Sequence, residues 1–394
     1  MGPTATIVLG LAVGGAAAYV LTGIAVRVAL ATDFVDHPHG YKGHLAATPY
    51  LGGAAVICAV LAATLLLTAP DWALAAVLGC AVALAVIGTI DDRVAVAPRW
   101  RVACELGAAG ILFAAGVHWA PFGVGVLDFA VTAAWVIGIV NAFNLMDNID
   151  GATGTVTSIS AAAIGVIALL DHQTGVAVAA FALAGACLGF LPHNLAGPAR
   201  IFLGDGGSMP AGFIVAALSM AALGPGSLGS SAILAGALVA GLPILDTTLV
   251  VVSRRRRGVP FVTGGRDHLT HRILVRVGSA RRVALVLALG QGALVGLAIA
   301  ASQLGTGFTL GAALVAAVAG AAALVALESP ALRPRCEFER ARDREVEARR
   351  RPGPGEGQAP PRVAAGARGA EVTVRYSTVV EDPTGSRATR SGKR

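Results

Sequence analysis

Uncharged apolar runs recur along this chain at the length that a lipid bilayer demands. The first, TIVLGLAVGGAAAYVLTGIAV, carries no charge from Thr6 to Val26. A spanning helix needs about 20 mostly apolar residues, fewer at the lower limit. Eleven segments meet that standard, at 5–29, 50–68, 72–90, 101–118, 123–140, 154–170, 174–191, 209–224, 231–252, 282–302 and 306–327. Only 13% of the 394 residues are charged and 55% are hydrophobic, whereas a soluble domain carries about twice that charge. Gly and Ala are abundant, as in packed membrane helices. A large Ala-rich soluble helical protein is the alternative, and the repeated spanning-length runs argue against it. The expected fold is all-α: a polytopic integral membrane protein with about 11 transmembrane helices. The first run has no basic stretch before it, so it reads as a retained anchor helix.

Charge fixes the expected topology. The connections after the even segments, around APD, HWAPFG, DHQ, GPGSLG and SQLG, hold no Lys or Arg. Those after the odd segments hold Lys42, Arg93, Arg99, Arg200, Arg254 to Arg257, Arg266, Arg272 and Arg276. Basic loops stay cytoplasmic, which puts the N-terminus outside and the C-terminus inside, in a multi-pass plasma-membrane protein. The chain then divides into a membrane-embedded domain, 1–327, and a charged cytoplasmic tail, 328–394. The tail holds half of the 30 Lys and Arg, with Pro and Gly and few large apolar residues. Such a segment cannot bury enough surface to fold alone. Its start, CEFERARDREVEARR, can continue as helix, and its basic residues read as solvated rather than lipid-bound.

The carboxylates follow the same parity. Asp33, Asp36, Asp91, Asp92, Asp147, Asp150, Asp205 and Asp267 lie on or beside odd loops, with Asp246 inside the ninth segment. Crowded carboxylates repel unless cations offset them. NAFNLMDNIDG sets Asn141, Asn144, Asp147 and Asp150 at three-residue steps, adjacent on a helix. The last three can line one strip of a cavity wall. Helix capping accounts for one or two of the four. Hard oxygen donors of this kind suit Mg²⁺, with Mn²⁺ as a substitute. GTIDDR places Asp91 beside Asp92, and two adjacent carboxylates ionise together only with a cation near. In PARIFLGDGGSMPAG, Gly204, Gly206 and Gly207 surround Asp205 where a helix begins. Exposed backbone amides there favour an anion such as phosphate. The GK[ST] ending of a P-loop is absent.

RRRRGVPFVTGGRDHLTHRI joins His268 and His271 to Arg266, Arg272 and the Arg254–Arg257 run. Two histidines at this spacing could hold zinc, but no third soft ligand is evident and arginines suit phosphate. The arginine run alone reads as a topology anchor. The five cysteines form no CxxC pair, and four sit inside apolar runs, which excludes a disulfide or zinc framework.

Together these motifs resemble the polyprenyl-phosphate N-acetylhexosamine-1-phosphate transferases, over roughly residues 30 to 275. The first-loop motif is similar to DHPHGYKGHLAATPYLGG, with Lys42, His44, Pro49, Gly52 and Gly53 in place. GTIDDR, NAFNLMDNIDG, PARIFLGDGGS and GRDHLTHRI follow in order, all on odd loops. The resemblance implies an active site on cytoplasmic loops and a Mg²⁺-dependent reaction. A polyprenyl phosphate attacks the β-phosphorus of a UDP-N-acetylhexosamine, giving polyprenyl-diphosphate-sugar and UMP, the first membrane step of a cell-envelope polysaccharide. Asn144 and Asp205 match metal-binding positions. Asp91 matches a position that deprotonates or orients the lipid phosphate, and Asp92 one that acts through charge or the metal's outer shell. Asp147, Asp150, His268 and His271 complete the catalytic set. Lys42, His44, Arg99, Asn141, Phe202, Gly204 and Arg266 form the implied substrate-binding set, with Phe202 packing on uracil. The partners implied are a UDP-sugar, a polyprenyl phosphate lipid and the membrane, with a homodimer admitted and no nucleic acid.

Departures from the pattern are specific. Tyr41 and Ala47 replace Arg and Pro, Arg99 and Glu105 replace Lys and Gln, Asn148 replaces a common Gly, and Thr270 replaces the middle histidine of H-x-H-H. Histidine at 270 is therefore expected to be tolerated. The histidine loop lacks the consecutive triplet of the muramoyl-pentapeptide enzyme, so UDP-GlcNAc is the expected donor and UDP-MurNAc-pentapeptide the alternative. A transporter would set its charges near the midplane, where only Asp246 is a candidate.

Overall fold

The computed structural model describes residues 2–36, 47–224, 229–260 and 265–329. Lys42 and His44 lie outside these residues, as does the tail beyond Ser329. The long helix α1 (Pro3–Ala31) leads to a short antiparallel pair, β1 (Val35–Asp36) and β2 (Thr48–Pro49). Then come α2 (Gly52–Leu67), α3 (Trp72–Val94), α4 (Pro98–Ala114), α5 (Gly125–Met146), α6 (Ala152–Leu170), α7 (Thr174–Asn194) and α8 (Asp205–Ala222). The remainder is α9 (Ala232–Val239), α10 (Gly241–Arg257), α11 (Leu269–Val277), α12 (Ala280–Leu304) and α13 (Thr306–Leu327).

Every one of the eleven apolar segments is occupied by helix, so the chain is an all-α, polytopic membrane protein. Among the described residues, seven helices are long and apolar enough to cross a bilayer, or eight if a bent pair counts as one. The count of eleven is therefore not reached by length and composition. The reasons are local: α2 has only 16 residues, α4 carries Arg99, Arg101 and Glu105 in 17, and α8 opens on Asp-Gly-Gly-Ser. The ninth segment, read as one span, is the bent pair. Its two helices, α9 and α10, meet at 81°. A break within apolar surroundings frees backbone groups that lipid cannot satisfy. Gln291 of α12, fully buried, meets them. Its Nε2 donates to Val239 O (2.6 Å) and its Oε1 accepts from Leu242 N (3.1 Å).

The centre of the bundle is α8, buried at every residue from Gly206 to Met220. It packs most extensively on α3 and α5. Two glycines let neighbours close on its first turn. A Cβ on Gly53 of α2 would fall 2.2 Å from Gly207 N, and one on Gly88 of α3 would fall 2.3 Å from Asp205 O. The segment before α8 is held by backbone bonds to the first-loop motif: Phe202 N to Pro49 O (2.8 Å) and Gly53 N to Leu203 O (2.9 Å). Outward faces are apolar, as lipid requires, with Val20 and Ile24 exposed on α1 and Leu314, Val315 and Val318 on α13.

Candidate active site

The last turn of α3 turns its two carboxylates in different directions, because consecutive helical residues diverge by about 100°. Asp91 faces α4. Its Oδ1 accepts from Val96 N (2.5 Å) and its Oδ2 meets Arg101 Nη1 at 2.7 Å. Asp92 faces α8, where its oxygens accept from Asp205 N (2.8 Å) and Gly206 N (3.1 Å). Two orphan amides of the α8 N-terminus are thus satisfied by a side chain from another helix. Gly204 makes this approach feasible. It has φ +70°, and a Cβ there would lie 2.6 Å from Asp92 Oδ2. The space at Gly204 is filled by Asp92, a use that phosphate binding did not anticipate.

Arg101 is the residue that sequence reasoning missed. Its guanidinium joins three elements: Nη1 to Asp91 Oδ2 (2.7 Å) and Asp205 Oδ2 (3.1 Å), and Nη2 to Asn144 Oδ1 (2.7 Å). Asn144 in turn donates to Asp205 Oδ1 (2.7 Å) and to Ser208 Oγ (3.0 Å). The planar fork of arginine suits such multiple oxygen partners. One turn further along α4, Glu105 accepts from Asn141 Nδ2 at 2.7 Å. Helices α4 and α5 therefore meet in two rungs, Arg101–Asn144 and Glu105–Asn141. The available signal was the four-residue step between Arg101 and Glu105 facing the three-residue step between Asn141 and Asn144. Asn141 Nδ2 also donates to Ile137 O (2.9 Å), so both of its amide hydrogens are engaged within the protein. Arg99 is exposed over the Trp100 ring, 5.8 Å from its centroid, and does not join the cluster.

The row Asn141–Asn144–Asp147–Asp150 is not one helical strip. Helix α5 ends at Met146 and Asp147 is its C-cap (ψ 54°). Asp150 lies in the turn before α6, which starts after Gly151 (φ +79°). Burial, reinforced by Asp205, Asp92 and Asp150, pushes the Asp147 carboxyl up to about 8. Asp150 borders a cavity of about 400 Å³ with Gly197, Pro198, Ser279 and Arg281. Phe202 sits beside Tyr50, ring centroids 6.0 Å apart, just ahead of Gly204.

The histidine motif is anchored from α10. Asp246, fully buried, accepts from Leu269 N (2.6 Å) at the start of α11 and lies 3.0 Å from His268 Nδ1. That pairing puts the proton on Nδ1 and leaves Nε2 as the other functional nitrogen. Asp246 is thus engaged with the histidine motif. His271 has a buried Nδ1 without a hydrogen-bond partner. Burial, then His268 and Arg266, lower it to about 4, so it is neutral at pH 7. Three of the six arginines read as suiting phosphate, Arg254, Arg257 and Arg272, are used internally. Arg254 grips Asp267 through Nε and Nη2, both at 2.9 Å, and Arg257 through Nη2 at 2.7 Å. Burial opposes ionisation of Asp267, but these arginines and His268 hold it down at about 2. Arg272, fully buried, ties Asp267 O (2.9 Å), Ser253 Oγ (3.0 Å) and Leu327 O (2.5 Å) together. Arg266 lies exposed. The zinc reading has no geometry behind it: the two histidine rings are 6.3 Å apart and His268 precedes the helix.

Among the described residues, no three His, Cys, Asp or Glu side chains converge to hold a metal unaided. The Asp205 and Arg101 side chains stay 30% and 18% exposed, and the hard oxygens a cation would take, Asp205 Oδ2 and Asn144 Oδ1, are held here by Arg101. This donor set fits Mg²⁺, which takes one or two protein oxygens and completes its octahedron with waters and phosphates.

Residues 74–223 match the family model described as Glycosyl transferase family 4. The chain is 33% identical to the decaprenyl-phosphate N-acetylglucosaminephosphotransferase of Mycobacterium leprae (strain TN), over 70% of this chain and 78% of that protein. It is 34% identical to the protein of the same description from Mycolicibacterium smegmatis, over 68% and 75%. With the undecaprenyl-phosphate alpha-N-acetylglucosaminyl 1-phosphate transferase of Escherichia coli (strain K12) it shares 30% identity, over 66% and 74%.

Proposed function

Because the chain belongs to the polyprenyl-phosphate N-acetylhexosamine-1-phosphate transferases of glycosyl transferase family 4, we propose that it transfers GlcNAc-1-phosphate from UDP-GlcNAc to a polyprenyl phosphate. A lipid phosphate oxygen bonds to the β-phosphorus, the bond from that phosphorus to the bridging oxygen breaks, and UMP leaves with the oxygen. The observation that carries this reading is the meeting of Asp91, Asn144 and Asp205 around Arg101, at the mouth of the α8 N-terminus. Phosphoryl transfer asks for positioning and charge neutralisation more than covalent chemistry, and this cluster supplies both.

Each residue then has a part. Asp205 and Asn144 would hold Mg²⁺, which when bound neutralises charge on the diphosphate. Arg101 is the cation we assign to the diphosphate oxygens, and Asp91, whose side chain is only 7% exposed, holds it in place. A general base has little to do, since the second pKa of a phosphate is near 6. Asp92 fixes the backbone of Asp205. His268, with Nδ1–H held by Asp246, presents Nε2 to the departing or transferred phosphate, where it donates a hydrogen bond only when the ring is protonated. The basic odd loops orient this end of the bundle toward the cytoplasm, where UDP-sugars are found.

The testing experiment offers membranes containing the protein a polyprenyl phosphate and two labelled donors in competition. Lipid-linked GlcNAc should form in preference. Preferential formation of lipid-linked muramoyl-pentapeptide would overturn the donor while leaving the reaction class.

A further inference from the structure

Two positions at which this chain departs from the family pattern touch each other. Thr270 Oγ1 donates a hydrogen bond to Asn148 Oδ1. The orientation of the amide is set independently, because Asn148 Nδ2 donates to Leu145 O at 2.7 Å, leaving Oδ1 to accept. Thr270 is fully buried, so its hydroxyl has no water to turn to and depends on this acceptor. Glycine at 148 could not accept the bond, and histidine at 270 would need the room that the Asn148 side chain takes. The substitutions are matched: one adds an acceptor and the other supplies a small donor.

The bond joins the turn between α5 and α6 to the first turn of α11. Asn148 follows Asp147 and stands two residues before Asp150. Thr270 stands between His268 and His271. The far side of the histidine motif is fixed to α10 by Asp246 and by the Asp267 ion pairs. The near side meets the carboxylate loop through Asn148. We propose that Asn148 and Thr270 form a positioning latch, specific to this pairing of residues, that sets the two histidines against the carboxylate loop during transfer. The inference rests on the phosphoryl transfer proposed above. The latch itself touches no reacting atom, so its loss should misplace the histidines and lower kcat while leaving the donor KM nearly unchanged.

A double-mutant cycle tests it with purified full-length protein in detergent. The donor is whichever UDP-N-acetylhexosamine the wild type turns over, so a wrong donor assignment does not affect the result. Asn148→Gly and Thr270→Val should each lower kcat by about tenfold, and the double variant by no more than about tenfold, because paired residues are non-additive. Donor KM should stay within about threefold. Thr270→Ser keeps the hydroxyl and should retain at least half of kcat. The pair Asn148→Gly with Thr270→His should exceed Thr270→His alone by about tenfold, which replaces the expectation that histidine at 270 is accepted by itself. A double variant about a hundredfold down, or Thr270→Ser as impaired as Thr270→Val, would overturn the latch. If Thr270→Val fails to fold, Asn148→Gly and Thr270→Ser decide: full kcat in Asn148→Gly also overturns it.

Discussion

Asp92 Oδ1 accepts the backbone amide of Asp205 at 2.8 Å, so one member of the aspartate pair sets the position of the acid that heads α8. We propose that Asp92 acts chiefly as a positioning group. Asp92→Ala strands two amides, at a cost of about 1–3 kcal/mol for each. Gly204→Ala should do similar damage by a different route, since its Cβ would meet Asp92 Oδ2 at 2.6 Å. Both variants should lose turnover by about a hundredfold and melt at lower temperature. Turnover lost with unchanged melting would return Asp92 to direct chemistry.

Arg101 links three oxygen-bearing residues through a planar fork. Lysine preserves the charge but not the fork. Arg101→Lys should lower turnover by about tenfold and Arg101→Ala by about a hundredfold or more, the scale of removing one electrostatic stabiliser. Steady-state kinetics with purified variants checks this, and wild-type activity in Arg101→Ala would dismiss the assignment.

Asp246 orients His268 and caps α11 with one carboxylate. Asp246→Asn preserves an acceptor for Leu269 N but offers His268 Nδ1 either an amide donor or a weaker acceptor. The favoured tautomer is then lost. Turnover should fall by about a hundredfold, close to the loss in His268→Ala. The double variant should be no worse than His268→Ala alone. Independent, multiplying losses would show that Asp246 does not act through His268.

Folded Asp147 keeps its proton to about pH 8, whereas an unfolded aspartate releases it near 4. The folded state binds the extra proton between those limits, so stability declines as pH rises through the window. In EDTA the melting temperature of the wild type should fall between about pH 6 and pH 8. Asp147→Asn, which cannot ionise, should show a shallower fall. Equal slopes would mean that Asp147 is ionised in the folded protein.

Much of the fold is legible in the sequence because lipid imposes one rule on every segment: an apolar run of spanning length becomes helix. The break between α9 and α10 was not, because AILAGALVAGLPIL stays apolar across it. Pro243, in the first turn of α10, was the local sign of a new start. The site was legible where polar residues interrupt apolar runs at helix ends, as Asp91, Asn144 and Asp205 do. Arg101 was hidden because PRWRVACE reads as the polar rim of a span, and its partners lie 10, 43 and 104 residues away. The arginines around Asp267 misled for the converse reason. Their charge suits phosphate, and only packing shows Arg254, Arg257 and Arg272 engaged within the protein.

The central claim is that a sugar phosphate, not a sugar alone, moves to the lipid. UDP-GlcNAc carrying ³²P only in its β-phosphate separates the two outcomes when incubated with purified protein, polyprenyl phosphate and Mg²⁺. The account predicts label in the lipid product in step with unlabelled UMP, with transfer abolished in Asp205→Ala and in EDTA. Label retained in UDP while GlcNAc reaches the lipid would contradict it.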